Sequence, residues 1–225
     1  MLREICDVFK EAYRRGWITT RDGNASYKRP EATWFYVTPS AVRKNEMSSD
    51  MCIKLDIDAN GVSRDRWIAQ DDGMLKQQLN KGLRPTGELP MHWLLQRYNP
   101  TEHSRVVLHL HPTHIIAAME AGVQLSDLAN MFPEINRYTR VAQNIGFIPP
   151  VTEALGDAVA EAMLVGGKAG TTGDLSADVV GLKGHGAVSI GSDPWDAFEH
   201  TERLNHICEI YLISLAARNK HDDAV

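Results

Sequence analysis

Apolar and polar positions alternate along this chain with two periods, and the two periods sort it into helices and strands. Leu2, Ile5, Phe9 and Tyr13 recur at i, i+3, i+4 spacing and predict a helix over 2–15, with Gly16 as its stop. The stretch TTRDGNASYKR that follows is small and polar, with a turn-type Asp-Gly, and reads as a connection. ATWFYVTPS (32–40) is aromatic and β-branched, hence a strand ended by Pro39. In MCIKLDIDANGV (51–62), Ile53, Leu55 and Ile57 alternate with polar residues, and Asn60-Gly61 predicts a hairpin turn. A helix is expected over 87–98, with Thr86 in front of it as an N-cap. Further on, the pattern predicts a strand over 106–111, a helix from Thr113 and helical pieces over 125–145 broken at Pro133. An extended segment (146–152) leads into a helix over 153–167. A Gly/Ser/Asp loop to 178, a strand–turn–strand over 179–191 and a long helix over 194–217 complete the chain. Helices covering a sheet that mixes hairpins and crossovers make one α/β domain over 1–225.

The strand VVLHLHPTH (106–114) carries the first chemical signal. Residues two apart on a strand share a face, so His109 and His111 aim into one space and Leu108 and Leu110 face the other way. Two buried imidazoles need partners, because a buried polar group without one costs roughly 1–3 kcal/mol by mutational scales. A metal satisfies both at once. His185 is the best third ligand: Gly184 and Gly186 flank it between two strand-like runs, which permits a sharp turn and close approach to another element. Taken alone, a Gly-His-Gly is more often a hydrogen-bonded turn histidine; the His-x-His strand shifts the balance. Three histidines leave a catalytic zinc its open fourth position. His92 and His114 fall on helices beside the site, His200 and His206 on the last helix, and His103 and His221 on the surface. All six read as solvated or capping.

Glu88 stands in the first turn of its helix, where the dipole favours a carboxylate. It is equally readable as a fourth ligand or as a base that moves a proton. Gly23-Asn24-Ala25-Ser26, Thr38-Pro39-Ser40-Ala41 and Thr86-Gly87 are short runs of small residues and donors. Singly each is an ordinary turn; together they suit a phosphate. No GxxxxGK[ST] or GxGxxG occurs, so nucleotide binding has no support.

Composition narrows the class. The 225 residues are 43% hydrophobic and 24% charged, ordinary for a water-soluble chain, and the net charge of −5 offers no field for nucleic acid. No apolar run approaches the ~18–20 residues of a membrane span, and the amphipathic start MLREICDVFK lacks the core of a signal peptide. Three scattered cysteines, at 6, 52 and 208, argue against a disulfide framework and for the reducing cytoplasm. With no CxxC, a metal site must use histidine and carboxylate.

The ordered set Gly-Asn-x-Ser (23–26), Thr-Pro-Ser (38–40), Thr-Gly-Glu-x-x-x-His (86–92), His-x-His-Pro (109–112) and Lys-Gly-His-Gly (183–186), with a long final helix, resembles the class II aldolase/adducin family over nearly the whole chain. The resemblance implies a three-layer α/β/α fold around a largely antiparallel sheet, assembled as a homotetramer with sites at subunit interfaces. It implies zinc, or manganese or cobalt in its place, on His109, His111 and His185, with Glu88 as acid/base. Asn24, Ser40, Ala41, Thr86 and Gly87 would cradle the phosphate of a small sugar. Tyr138, ten residues before Ile148-Pro149, matches a tyrosine donated by a neighbouring subunit as proton donor. The implied reaction is aldol cleavage of a ketose 1-phosphate to dihydroxyacetone phosphate and an aldehyde. Departures in the cradle and at the end of the chain count against it. Ala41 stands where glycine is usual, Gly87 where serine is common, and the tail that supplies a further tyrosine is missing. They give weight to a dehydratase like methylthioribulose-1-phosphate dehydratase, or to a sugar-acid phosphate decarboxylase. A non-catalytic adducin-like module is the third reading; that branch lacks the metal ligands kept here.

Overall fold

The computed structural model describes residues 1–57, 81–99, 102–167 and 173–222, with side chains through Arg218. The Asn60-Gly61 turn, residues 168–172 of the Gly-rich loop and the His221 side chain lie outside the described residues. Six strands form one sheet: β1 (Asn24–Lys28), β2 (Trp34–Val37), β3 (Ile53–Asp56), β4 (Arg105–Leu110), β5 (Val179–Leu182) and β6 (Gly186–Gly191). Their order is β3-β2-β1-β4-β6-β5, and every neighbouring pair is antiparallel. Residues 141–145 add parallel bridges, Val141 to Val179 and Ile145 to Leu182, along the β5 edge.

Helices cover both faces, as the three-layer expectation requires. They are α1 (Leu2–Arg14), α2 (Leu89–Arg97), α3 (Thr113–Glu120), α4 (Leu125–Asn130), α5 (Pro133–Tyr138), α6 (Glu153–Met163) and α7 (Pro194–Asp222). The period-2 alternation of β4 divides the core between the layers. Val107 packs with Leu89, Leu95 and Val159 under α2 and α6, while Val106, Leu108 and Leu110 pack with Phe9, Ala197 and Phe198 under α1 and α7. A third cluster seats α3, α4 and the middle of α7 against Val179 and Ala187. No described helix is long and apolar enough to cross a membrane. Cys6, Cys52 and Cys208 are buried and free.

The stretch read as a polar connection contains β1, which lies inside the sheet between β2 and β4. Its polarity misled because Asn24, Ser26 and Lys28 are buried and the polar side chains of Asn24 and Ser26 are satisfied inside the protein. Register carries the consequence: Asn24 pairs with His109 and Ser26 with Val107, so the β1 side chains share the face of the β4 histidine. The helix expected over 87–98 with Thr86 as its N-cap begins at Leu89, with Glu88 as its N-cap residue; Thr86 Oγ1 accepts the Glu88 N–H at 3.3 Å.

Gly156 lets α6 lie on the start of α2: a Cβ there would stand 2.9 Å from Met91 N and 3.1 Å from Pro90 C. Helix propensity alone makes Gly→Ala in a helix interior stabilising by ~1 kcal/mol. Overpacking against rigid backbone costs about 1–3 kcal/mol, so the sign is expected to reverse: Gly156→Ala destabilises in urea unfolding. A stabilised variant would show that α2 is free to shift.

Candidate metal centre

β4 delivers His109 from its next-to-last position and His111 from the residue after its end, where the His111 N–H donates to Trp17 O at 2.9 Å. His185 comes from the loop 183–185 that joins β5 to β6, with Gly184 at φ +70°. The decisive glycine is Gly186. A Cβ there would meet Leu110 O at 2.3 Å, His111 Cδ2 at 2.8 Å and His109 Cε1 at 3.2 Å, so only glycine lets β6 carry His185 against the β4 pair. The three ring centroids stand 4.6–5.1 Å apart, and one nitrogen from each lies within 4.8 Å of the others. Among the described residues this is the set of histidines, cysteines and carboxylates spaced to hold a metal.

Protonation is set by second partners. His109 Nδ1 donates to Ala187 O at 3.0 Å, which leaves its Nε2 lone pair pointing into the site. His111 Nε2 faces that lone pair at 2.9 Å. Two ring nitrogens at this distance hold one proton or one cation between them. Burial first, then His109 and His185, pushes the His111 pKa down to about 3, and burial lowers His185 too. Both therefore present neutral lone pairs at pH 7. Glu88 completes the set: its Oε2 lies 3.3 Å from His109 Nε2 and its Oε1 3.5 Å from His185 Nε2. Burial works to raise its pKa, but His109, the Asn24 N–H and His185 outweigh it, and the net direction is down. Glu88 Oε1 and His185 Nδ1 are buried without hydrogen-bond partners. An imidazole-rich donor set beside an ionised carboxylate with an orphaned oxygen fits a zinc-type cation.

All five residues expected to cradle phosphate line one cavity of about 200 Å³ beside Glu88, His111 and His185. Its walls are zipped together: Ser40 N–H donates to Arg84 O and Thr86 N–H to Thr38 O. Ala41 keeps the positive φ, +60°, that glycine would supply, at about 1–2 kcal/mol. Val151 lies against Gly87: its Cγ1 would stand 2.9 Å from a Cβ there, so a serine would require the Val151 side chain to shift. The sequence reading missed two cations on the wall. Arg21 donates to Ala41 O at 2.6 Å, and buried Lys44 donates to Pro39 O at 3.0 Å. Nothing in the pattern separates Lys44 from a surface lysine, yet burial lowers its pKa to about 8. A larger cleft of about 430 Å³ opens at the other end of β4 and β6, lined by Arg105, Arg140, Asp178 and His200 among others, away from the triad.

Two expectations need correction. His92, read as solvated or capping, is wholly buried and bonds Ser26 and Asn24. His200 is buried too, its Nδ1 on Thr139 Oγ1 at 2.9 Å. His103 is exposed, as read. Tyr138 does not line the triad cavity; it is 52% exposed, with Arg137 and Arg203 each 5.5 Å from its ring.

This geometry invites comparison with known proteins. The sequence model of the family Class II Aldolase and Adducin N-terminal domain matches residues 3–212. The chain belongs to that family. An L-fuculose phosphate aldolase of Methanococcus maripaludis is 24% identical over 215 residues, covering 94% of this chain and 96% of the relative. The solved L-fuculose-1-phosphate aldolase of Thermus thermophilus superposes with a TM-score of 0.68 at 17% identity, covering 97% of each chain. The sugar-phosphate aldolase of Thermotoga maritima gives 0.64 at 18%, covering 96% of this chain and 95% of that one. At these identities the structural likeness establishes the class II aldolase fold.

Acid sensitivity follows from His92. Burial holds its pKa at about 3 against an ordinary 6.5. Between those values the unfolded chain binds the proton and the native state does not. Stability is therefore fully present above pH 6.5 and falls as pH drops towards 3, at about 1.4 kcal/mol per pH unit from this group. Urea midpoints at pH 7 and pH 5 measure it. His92→Gln is expected to flatten the slope; an unchanged slope would show that His92 is not the group.

Proposed function

We propose that the protein is a zinc-dependent lyase that cleaves a small ketose 1-phosphate to dihydroxyacetone phosphate and an aldehyde. The observation that carries this reading is the three-histidine set, of which His111 and His185 line one cavity with a buried, ionised carboxylate. Curated relatives named L-fuculose phosphate aldolase support it, as do N–H, hydroxyl and cationic groups suited to an anion. His109, His111 and His185 would hold the metal. When bound, it supplies Lewis-acid stabilisation of the negative charge that develops on substrate oxygen as the carbon–carbon bond breaks.

The chain's own groups do the rest. Asn24, Ser40, Ala41, Thr86 and Gly87 hold the phosphate, with Lys44 and Arg21 adding positive charge behind them. That grip fixes the reacting carbon against Glu88. Cleavage frees a proton from the aldehyde-side hydroxyl; the ionised Glu88, its Oε1 bare of hydrogen bonds, takes up that proton and delivers it to the carbon freed by cleavage, and the reverse reaction retraces both transfers. Tyr138 serves the aldehyde-side oxygen in the site of a neighbouring copy, since it is exposed and absent from its own chain's cavity. Exposed Met131, Tyr138 and Ile213 suit burial between copies of a homotetramer in the cytoplasm.

A second reading, a dehydratase using the same metal and carboxylate, is favoured by one observation: position 87 is a glycine with Val151 packed against it, so the cradle has no hydroxyl there. A screen of ketose 1-phosphates followed for both dihydroxyacetone phosphate release and water loss separates the two. The account expects one metal per chain, aldehyde release by wild type, and loss of both in His109→Ala. Glu88→Gln is expected to keep the metal and lower kcat by roughly 10²–10⁴. Dehydrated product without aldehyde would overturn the aldolase assignment. Protein that binds no divalent metal would overturn both enzyme readings in favour of an adducin-like module.

A further inference from the structure

Behind Glu88 runs a chain of buried hydrogen bonds whose direction is fixed at both ends. Gln96 Nε2 lies 2.9 Å from Ser26 Oγ and 3.3 Å from Arg105 O. A backbone carbonyl only accepts, so this end of the Gln96 amide is the nitrogen, and Ser26 Oγ receives its N–H. The serine hydrogen is then directed at His92 Nδ1, 2.8 Å away. His92 Nδ1 therefore carries no proton and Nε2 does. Nε2–H donates to Asn24 Oδ1 at 2.5 Å, which turns the Asn24 nitrogen to Glu88 Oε2 at 2.7 Å. An ionised carboxylate only accepts, so the far end agrees with the near one.

We infer that His92 is a positioning residue which, with Ser26 and Gln96, locks the Asn24 amide so that its N–H engages Glu88 Oε2 and leaves Oε1 as the oxygen that moves the proton. Ser26, His92 and Gln96 are wholly inaccessible to solvent, so no water substitutes for a missing link. Without the His92 donor the Asn24 amide is free to turn over. Its carbonyl would then face the carboxylate, repelling the charge it now stabilises. The device reaches the site from β1 and α2 without touching the three metal ligands' lone pairs. It also gives Asn24 a task besides its place in the phosphate cavity, since one of its two amide hydrogens is directed at Glu88. This inference rests on Glu88 being the proton-moving group of the proposed reaction.

The test uses the metal-loaded full chain. Long-range ¹H–¹⁵N spectra of histidine-labelled protein are expected to show His92 as a neutral ring with its proton on Nε2, and Ser26→Ala is expected to lose that single state. A proton on Nδ1 in the wild type overturns the relay whether or not the protein proves to be an aldolase. In turnover, Ser26→Ala and His92→Leu are expected to retain one metal per chain and lose about 10–100-fold in kcat, the usual scale for groups behind a site, with KM little changed. His92→Gln, which keeps a donor towards Asn24, is expected to recover most of kcat. A rise in KM at constant kcat, or equal loss in the Gln and Leu variants, would overturn the positioning role.

Discussion

A carboxylate buried among imidazoles is the constraint around which this molecule is organised. Taking Glu88 out of water is unfavourable unless donors or cations meet it. Asn24 meets Oε2, which also faces His109, while Oε1, facing His185, meets no donor unless a cation is bound. Each structural feature near the site serves that arrangement. The β1–β4 register brings Asn24 level with His109. The bare backbone of Gly186 admits β6. Packing of α6 on α2 at Gly156 sets the entry of the helix that Glu88 caps.

How much of this is legible in the sequence depends on whether a residue's role shows in a local period. The triad does: His109 and His111 obey the two-residue repeat of a strand, and glycines flank His185. The long helices and the β5–β6 hairpin are equally plain. β1 is not, because NASYK has no apolar alternation; apart from Ala25 its buried residues are polar, and Asn24 and Ser26 are satisfied by partners 64–70 positions away. His92 is hidden for the opposite reason. Every residue from Leu89 to Gln96 is buried, so α2 has no polar face against which a functional histidine would stand out. Lys44 reads as surface because lysine almost always is, and only the fold shows it closed beneath Pro39.

The family pattern and its departures become consistent once backbone conformation is known. Ala41 departs from glycine yet holds a left-handed conformation, so the loop's shape persists at some strain. Gly87 departs from serine with Val151, itself at φ +66°, packed against it. The cavity proposed to hold the phosphate has no hydroxyl at position 87, while Arg21 and Lys44 bring charge to its wall. In the proposed reaction, substrate choice is set there, at the end of the cavity away from the bond that breaks.

The central claim is that His109, His111 and His185 hold one metal with Glu88 beside it. X-ray absorption at the metal edge of zinc-loaded protein measures this most directly. Three imidazole scatterers per zinc are expected at ~2.0–2.1 Å, falling to two in His185→Ala and staying at three in Glu88→Gln. A shell of oxygens alone, or three imidazoles that survive His185→Ala, would contradict it.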